Sequence, residues 1–126
     1  MAIYGIGAYF GSDVSNDFIT DNYIGTGWDI TCAPELFRFM QSLKVGDIVY
    51  IKSFPPSSTD LIIKGIGIIK DDEIIANSVI ECGRNVIWKN TKELRFPKPQ
   101  EKNNVRANTI YEEFHPDVQE FIIRNL

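Results

Sequence analysis

The strongest strand-like hydrophobic patterning lies in the middle of the chain. Residues 45–53 and residues 61–69 are two apolar runs, and the second is rich in β-branched side chains. The Pro-Pro-Ser-Ser sequence at 55–58 separates them, which predicts two neighbouring strands joined by a loop. Gly65 and Gly67 interrupt the second run and predict a bend or bulge of the kind that a small closing barrel needs.

The first ten residues predict a strand that is buried on both of its faces. Ile3 and Tyr9 share one face, Ile6 and Phe10 share the other, and small residues lie between them. Because successive side chains of a strand point to opposite sides of the sheet, apolar residues on both faces indicate a central strand. We therefore expect this strand in the interior of the sheet.

Three segments have helical character. Residues 15–23 predict one or two helical turns, whereas residues 34–43 and 116–126 predict longer helices. The two longer segments begin with Pro34 and Pro116, and proline suits the first helical position because its missing N–H group has no partner there. Helical spacing places these side chains on the buried stripes: Leu36, Phe37, Met40 and Leu43 in one helix, and Val118, Phe121 and Ile122 in the other.

The rest of the second half predicts short strands and polar loops. Residues 85–90 form a short strand with Val86 and Trp88 on one side and Ile87 on the other. Residues 92–108 are polar and predict an outer loop with one edge strand. The apolar residues at 109–111 are expected to close the sheet.

The composition is that of one globular domain spanning residues 1–126. No apolar run approaches the about 20 residues that span a bilayer, and the N-terminus has no basic and apolar leader, so we expect a cytoplasmic protein. Cys32 and Cys82 lack CxxC or Cys/His spacing, and we interpret both as buried, reduced thiols.

Charge is distributed unevenly along the chain, whose net charge is −4. Residues 1–35 contain five acids and no Lys or Arg, whereas residues 84–106 contain seven bases and two acids. A protein that binds phosphates without selectivity is normally basic overall. The basic stretch is either a local phosphate-contact strip, with Arg84, Lys89 and Arg106 as its contacts, or a solvated loop face.

Sequence motifs for catalysis, cofactors and metals are missing. The single histidine, His115, directly precedes a predicted helix start, where a structural or solvated role is the ordinary one, and a zinc site needs more ligands. No phosphate-binding glycine loop is present. We therefore expect no cofactor and a non-catalytic binding module, although a small hydrolase or nuclease with acids from separate strands stays open.

Two local features are candidates for a pocket, and each has a plainer interpretation. Trp28 follows the loosened Gly25-Thr26-Gly27 segment and is either a plug inside the barrel or the wall of a pocket. Lys52 and Ser53 end the strand of residues 45–53, where they either rim a pocket or face water.

The order of these elements resembles the EVE branch of the PUA-like superfamily, which is related to YTH domains and to the N-terminal modules of modification-dependent restriction systems. The resemblance covers roughly residues 3–90. It is carried by the first strand, the Gly27-Trp28-Asp29 loop, the helix that ends in Leu43-Lys44-Val45-Gly46-Asp47, the glycine-interrupted strand around Gly65 and Gly67, and Val86-x-Trp88.

The resemblance implies an α+β fold, a small mixed β-barrel with two or three flanking helices. It also implies a concave pocket in which aromatic side chains hold a modified base that has been flipped out of its stack. The chain differs from the family after strand one, where Tyr9-Phe10-Gly11 replaces the usual Lys-Ser pair. Carried over by position, the ligand-binding residues are Tyr9, Phe10, Trp28, Asp29, Lys52, Ser53 and Trp88.

The leading hypothesis is a non-catalytic module that recognises a modified nucleobase or nucleotide, as part of nucleic acid or free. The alternative is a protein-interaction factor of a phage or mobile element that blocks a host nucleic-acid or defence complex. In that case the acidic first 35 residues would present a nucleic-acid-like charge pattern to a basic partner.

Overall fold

A computed structural model describes residues 1–53, 59–97 and 109–126. The described residues form seven strands and three short helices. In chain order the elements are β1 (Ile3–Gly7), α1 (Ser15–Asp21), β2 (Tyr23–Thr26), α2 (Pro34–Ser42), β3 (Ile48–Ser53), β4 (Asp60–Ile69), β5 (Cys82–Asn90), β6 (Leu94–Pro97), β7 (Ile110–Glu112) and α3 (Pro116–Arg124).

The strands form one curled, mixed sheet in the order β2-β5-β4-β3-β1-β7, and β6 also pairs with β4. β1 and β3 are parallel, while the other pairs are antiparallel. The predicted α+β class and the barrel-like curvature are therefore confirmed. The pairing of β3 with β4 matches the two apolar runs from which the prediction began.

Two hydrophobic cores lie against opposite faces of the sheet. The side chains of β3 alternate between them: Val49 and Ile51 belong to one core, while Ile48 and Tyr50 belong to the other. The first core is completed by α1 and α2, including Phe18, Met40 and Leu43, and the second core by Val118 and Ile122 of α3.

β1 lies between β3 and β7, as its apolar character on both faces predicts. The bulge predicted from the glycines of β4 is also present, because the register with β5 shifts between Ile66 and Gly67. A second irregularity falls opposite Gly65, between Ile51 and Lys52 of β3. These irregularities bend β4 and add to the curl of the sheet.

The two proline-initiated helices are confirmed, and His115 has a structural role. Its Nδ1 atom accepts a hydrogen bond from the backbone N–H of Asp117 at 3.2 Å, so its imidazole caps α3. Such a cap satisfies one of the N–H groups that the first turn of a helix leaves unpaired.

Several boundaries differ from the sequence prediction, whereas the edge strand predicted within residues 92–108 is present as β6. β1 ends at Gly7 and not at residue 10, and Tyr23 begins β2, a strand that the sequence did not predict. Asn22 adopts the left-handed conformation at φ 58° and ends α1 there. The predicted outer stretch 92–108 contains the edge strand β6, and its remainder from residue 98, like the loop at 55–58, lies outside the described residues.

A buried polar cluster ties β7 to β3 across β1. The hydroxyl of Tyr50 donates to the Glu113 carboxylate at 2.6 Å and lies 2.8 Å from the hydroxyl of Tyr111. All three residues are buried, and burial is the main reason that the pKa of Tyr50 lies far above its ordinary value. The Tyr111 ring reaches this cluster over Gly5, where a side chain would have no room.

Gly5→Ala is expected to destabilise the protein. The added Cβ atom would lie 2.4 Å from the Tyr111 ring and hydroxyl, so the buried cluster would have to move, and overpacking of this kind costs about 1–3 kcal/mol. Urea unfolding monitored by circular dichroism measures the change in the free energy of unfolding.

The matched control is Gly7→Ala in the same strand, where the nearest atom to an added Cβ is Cε of Lys52 at 3.5 Å, an ordinary contact. We expect Gly7→Ala to retain most of the stability. Equal losses in the two variants would contradict the importance of the close approach at Gly5.

Candidate ligand-binding site

Trp28 lies in the turn after β2 and projects into solvent. Its backbone N–H donates to the Thr26 hydroxyl at 3.1 Å, which fixes the start of the turn. The side chain is 57% exposed, so Trp28 is not a plug inside the sheet. Of the two interpretations of this residue, only the pocket wall agrees with its position.

A pocket of about 320 Å³ separates Trp28 from the turn that follows β1. It is lined by Tyr9, Phe10, Gly11, Gly27 and Trp28. Phe10 forms its inner side, because its ring comes within 3.2 Å of the position that a Cβ of Gly27 would occupy. Tyr9 is 74% exposed at the rim. Three of the predicted ligand-binding residues therefore meet at one pocket.

A second pocket of about 560 Å³ lies on the other side of Trp28, which lines both pockets. Sequence reasoning did not identify this space. Its acid, thiol and apolar groups come from the start of α2 and from the residues just before and at the start of β7. Residues 32–36 are close to Trp28 in sequence, and this proximity was the signal from which the second pocket could have been predicted. The other lining residues are Cys32, Ala33, Glu35, Leu36, Thr109 and Ile110.

The aromatic pocket is supported from below by a chain of ring contacts. The centroids of Phe10 and Phe18 are 6.1 Å apart, and those of Phe18 and Tyr23 are 5.2 Å apart. Phe18 and Tyr23 are buried in the first core, so the half-buried ring of Phe10 rests on a fixed surface. Ring pairs at these separations add about 0.5–1.5 kcal/mol beyond their burial.

The turn that carries Tyr9 is held by Asp13. A backbone bridge joins Tyr9 to Asp13, and the Asp13 carboxylate accepts hydrogen bonds from Lys64 at 2.5 Å and from the backbone N–H of Ser15 at 2.9 Å. Partial burial by itself would raise the pKa of Asp13, but the bonds from Lys64 and Ser15 outweigh it and lower the pKa to about 2. The acid is therefore ionised at neutral pH.

Asp29 shapes the loop beside the pocket and lines neither of the two pockets described above. Its carboxylate accepts from the backbone N–H and the hydroxyl of Thr31, both at 2.7 Å, and these hydrogen bonds lower its pKa. Its carbonyl accepts from the N–H groups of Cys32 and Ala33, which leads the chain into α2. Asp29 therefore shapes this loop and places a negative charge next to Trp28, while its contact with a ligand stays a prediction.

Lys52 and Ser53 are not brought to Trp28. The ammonium group of Lys52 lies 5.9 Å from the centre of the Tyr111 ring, and Tyr111 belongs to the second core. Burial lowers the pKa of Lys52. Ser53 is half-buried and pairs with Ile62 of β4. Neither residue is among those that line the two pockets, although the ammonium group of Lys52 lies 3.7 Å from the position that a Cβ of Gly7 would occupy in β1.

Trp88 packs behind the site and does not line it. Its indole N–H donates to the carbonyl of Phe18 at 2.9 Å, and its ring packs half-buried against the first core. Trp88 therefore tethers β5 to α1 and lies outside the linings of the two pockets. The two tryptophans have different roles, one exposed at the pocket and one fixed to the backbone of a helix.

Arg84 was predicted to contact phosphates, but its side chain is buried. It is 1% exposed, and its guanidinium donates to the carbonyls of Met40 at 3.0 Å, Leu43 at 2.5 Å and Asp71 at 2.5 Å. These bonds satisfy carbonyls at the end of α2 that a helix leaves unpaired. A side chain engaged in this way has no surface to offer a phosphate.

The other two predicted phosphate contacts are Lys89 and Arg106. Lys89 is exposed on β5. It lies seven residues from Cys82, the β5 residue that pairs with Thr26 near the pocket, so about 23 Å of strand separates the two positions. Arg106 lies outside the described residues. The thiols also differ from expectation, since Cys82 is buried but Cys32 is exposed.

No three His, Cys, Asp or Glu side chains among residues 1–53, 59–97 and 109–126 are grouped so that they could hold a metal ion. In the same ranges no helix has the length and apolar character needed to cross a bilayer.

No protein-family model matches the chain, and no curated protein matches it. The assignment to the EVE branch is therefore a proposal that depends on the resemblance in sequence and on the site geometry.

Arg84→Met is expected to lower the free energy of unfolding by about 2–4 kcal/mol. The substitution keeps a long side chain but leaves up to three buried carbonyls without their donor. Urea unfolding measures the loss. Lys89→Met, at an exposed position of the same strand, is the control and is expected to change stability by less than about 0.5 kcal/mol. Similar values for both variants would rule out the internal role of Arg84.

Asp13 is expected to contribute stability that disappears in acid. A lowered pKa in the folded state means that the contribution is complete above the unfolded value of about 3.9 and is lost as the pH falls through about 2. Because half of this side chain is exposed, the contribution is about 1 kcal/mol or less.

The measurement compares the unfolding free energies of the wild type and Asp13→Asn between pH 6 and pH 2. The gap between them should narrow towards pH 2. The control is Asp72→Asn, at an exposed acid in the turn after β4. A gap for Asp13→Asn that stays constant over this range would contradict the assignment.

Proposed function

We propose that this chain is a non-catalytic binding module that recognises a modified nucleobase or nucleotide between Tyr9, Phe10 and Trp28. The observation that carries the proposal is the exposed indole of Trp28, which faces the Tyr9-Phe10 turn across an open pocket. Soluble domains normally bury large aromatic side chains, and two neighbouring exposed rings at a cleft are typical of a binding surface.

The dimensions and chemistry of the pocket suit a planar ring. A volume of about 320 Å³ lies at the lower end of the range for small-molecule sites. Stacking of a base on an aromatic side chain contributes about 1–3 kcal/mol and requires only a flat surface. Trp28 and Tyr9 supply such surfaces, and Phe10 supplies an apolar floor.

The larger pocket offers the polar groups that a base edge needs. Glu35 brings a carboxylate and Thr109 a hydroxyl-bearing residue to the far side of Trp28. A base that stacks on the indole would direct its edge or its modification towards these groups. The resemblance to the EVE branch supports the same assignment, because that family holds modified bases beside a tryptophan-bearing loop.

The proposal includes fewer phosphate contacts than the sequence predicted. Arg84 is removed from them because it is buried, and Lys89 is kept as an exposed cation. The acidic segment 1–35 supplies the lining residues of the aromatic pocket, and its negative charge disfavours phosphates close to it. Base contacts are therefore proposed to dominate over backbone contacts, which predicts weak dependence on salt.

Trp28→Ala is expected to weaken ligand binding about tenfold or more with little effect on stability, because the side chain stacks on the ligand but is outside both cores. Modified and unmodified oligonucleotides are titrated at two salt concentrations, and thermal unfolding is recorded in parallel. The matched variant is Trp88→Phe, which removes the hydrogen bond to Phe18 and should reduce stability more than Trp28→Ala does. A stability loss at Trp28 as large as the binding loss would refute the pocket assignment.

Cys32 provides an independent reporter of occupancy. It is exposed and lines the larger pocket with Trp28, whereas Cys82 is buried. A bound base should slow the labelling of Cys32 by a maleimide, and Trp28→Ala should remove this protection. An unchanged labelling rate at saturating ligand would show that the ligand does not extend into the larger pocket.

The protein-interaction function is the second candidate. It is favoured by the exposure of Tyr9, Trp28 and Ile30 on a segment whose acids Asp17 and Asp29 are also exposed. Such a surface matches a basic, partly apolar partner. Capture of a host protein that survives nuclease treatment and is lost in Trp28→Ala would favour this function over base recognition.

A further inference from the structure

The charges around the aromatic pocket restrict the kind of base that fits there, provided that the proposed function holds. Among the described residues that line the two pockets, Glu35 is the only one with a formal charge at neutral pH. Asp29 adds a second carboxylate in the residue next to Trp28, where the hydrogen bonds from Thr31 keep it ionised.

None of the described cations lines either pocket. Residues 1–35 contain no Lys or Arg. Lys64 is paired with Asp13 at 2.5 Å, and Lys52 lies against Tyr111 of the second core. Arg38 is exposed on α2 one turn after Glu35, outside both linings. The described lining of the two pockets therefore carries one negative charge and no positive charge, and the aromatic pocket is lined by three rings whose faces are also electron-rich.

We infer that the preferred ligand is a cationic base, namely a purine nucleoside or nucleotide alkylated on a ring nitrogen that carries no hydrogen, as in 7-methylguanosine or 1-methyladenosine. Alkylation of such a nitrogen makes the ring cationic at mildly acidic pH and keeps it planar. The same ring can then stack on Trp28 or Tyr9 and gain the attraction of a cation for an aromatic face. A neutral base gains the stacking alone.

The shape of the pocket favours a planar cation over a compact methylammonium group. Tyr9 and Trp28 are largely exposed, so the pocket is an open cleft between two rings and does not enclose a small spherical group. The cleft also continues past Trp28 into the larger pocket, where Glu35 lies within the space available to a ring substituent.

The test compares two pairs of nucleosides: 7-methylguanosine with guanosine, and 1-methyladenosine with adenosine. Nucleosides carry no phosphate, and at pH 6 both alkylated nucleosides are cations, so the comparison at that pH isolates the charge of the base. Binding to the full chain is measured by nuclear magnetic resonance titration and by the protection of Cys32 from maleimide. We expect each alkylated nucleoside to bind about tenfold more tightly than its neutral counterpart.

A pair of acid variants tests the electrostatic part directly. Glu35 and Asp117 occupy equivalent positions, each directly after the proline that begins a helix, but only Glu35 lines a pocket. Glu35→Gln should weaken the binding of 7-methylguanosine about two- to fivefold and leave guanosine unchanged. Asp117→Asn should change neither affinity.

The remaining outcomes separate the inference from the proposed function. Equal affinities for charged and neutral nucleosides, both lost in Trp28→Ala, would overturn the inference and leave base recognition in place. Binding of Nε-trimethyllysine as tight as that of 7-methylguanosine would overturn it in favour of a peptide ligand. If neither nucleosides nor oligonucleotides bind in a manner that depends on Trp28, the proposed function fails and the inference fails with it.

Discussion

The buried guanidinium of Arg84 determines where α2 lies, and the position of α2 determines one wall of the site. Its hydrogen bonds reach the carbonyls of Met40 and Leu43 at the end of the helix and that of Asp71 after β4. A buried charge is tolerated in a protein only when hydrogen bonds replace its water. β5, α2 and the turn after β4 therefore have to be arranged together. As a result, Leu36 of α2 is held at the larger pocket.

The molecule separates the residues that hold the fold from those that form the candidate site. The two cores occupy the faces of the sheet, and their side chains come mainly from the strands and from the inner faces of the helices. Tyr9 and Trp28 instead lie on the turns that follow β1 and β2. Turns on a rigid scaffold commonly carry binding residues, since their backbones are not committed to the sheet. The ring of Phe10 connects the two systems through its contact with Phe18.

Sequence periodicity predicted the elements whose residues repeat over a long enough span. The pairing of β3 with β4, the central position of β1 and the two proline-initiated helices all follow from it. β2 was missed because its four residues, Tyr23–Thr26, are buried throughout and show no alternation. The end of α1 depends on the left-handed Asn22, which no pattern of hydrophobic residues reports.

The residues of the candidate site were predicted in part. The errors in that prediction concern which face of a strand a residue occupies. Arg84 was counted with the surface bases, although alternation along β5 places it on the same side as Val86 and Trp88. Lys52 follows an irregularity in β3 that the sequence does not show. Trp28 was left open between two roles, and only its exposure distinguishes them.

The exposure of Tyr9 and Trp28, which lie outside both cores, has an evolutionary consequence. Substitutions at these two positions change the surface of the pocket without removing a buried side chain, so they escape the stability threshold that eliminates most changes in small proteins. Descendants of this chain can thus diverge at this surface while they retain the same sheet and helices, and that divergence carries little thermodynamic risk.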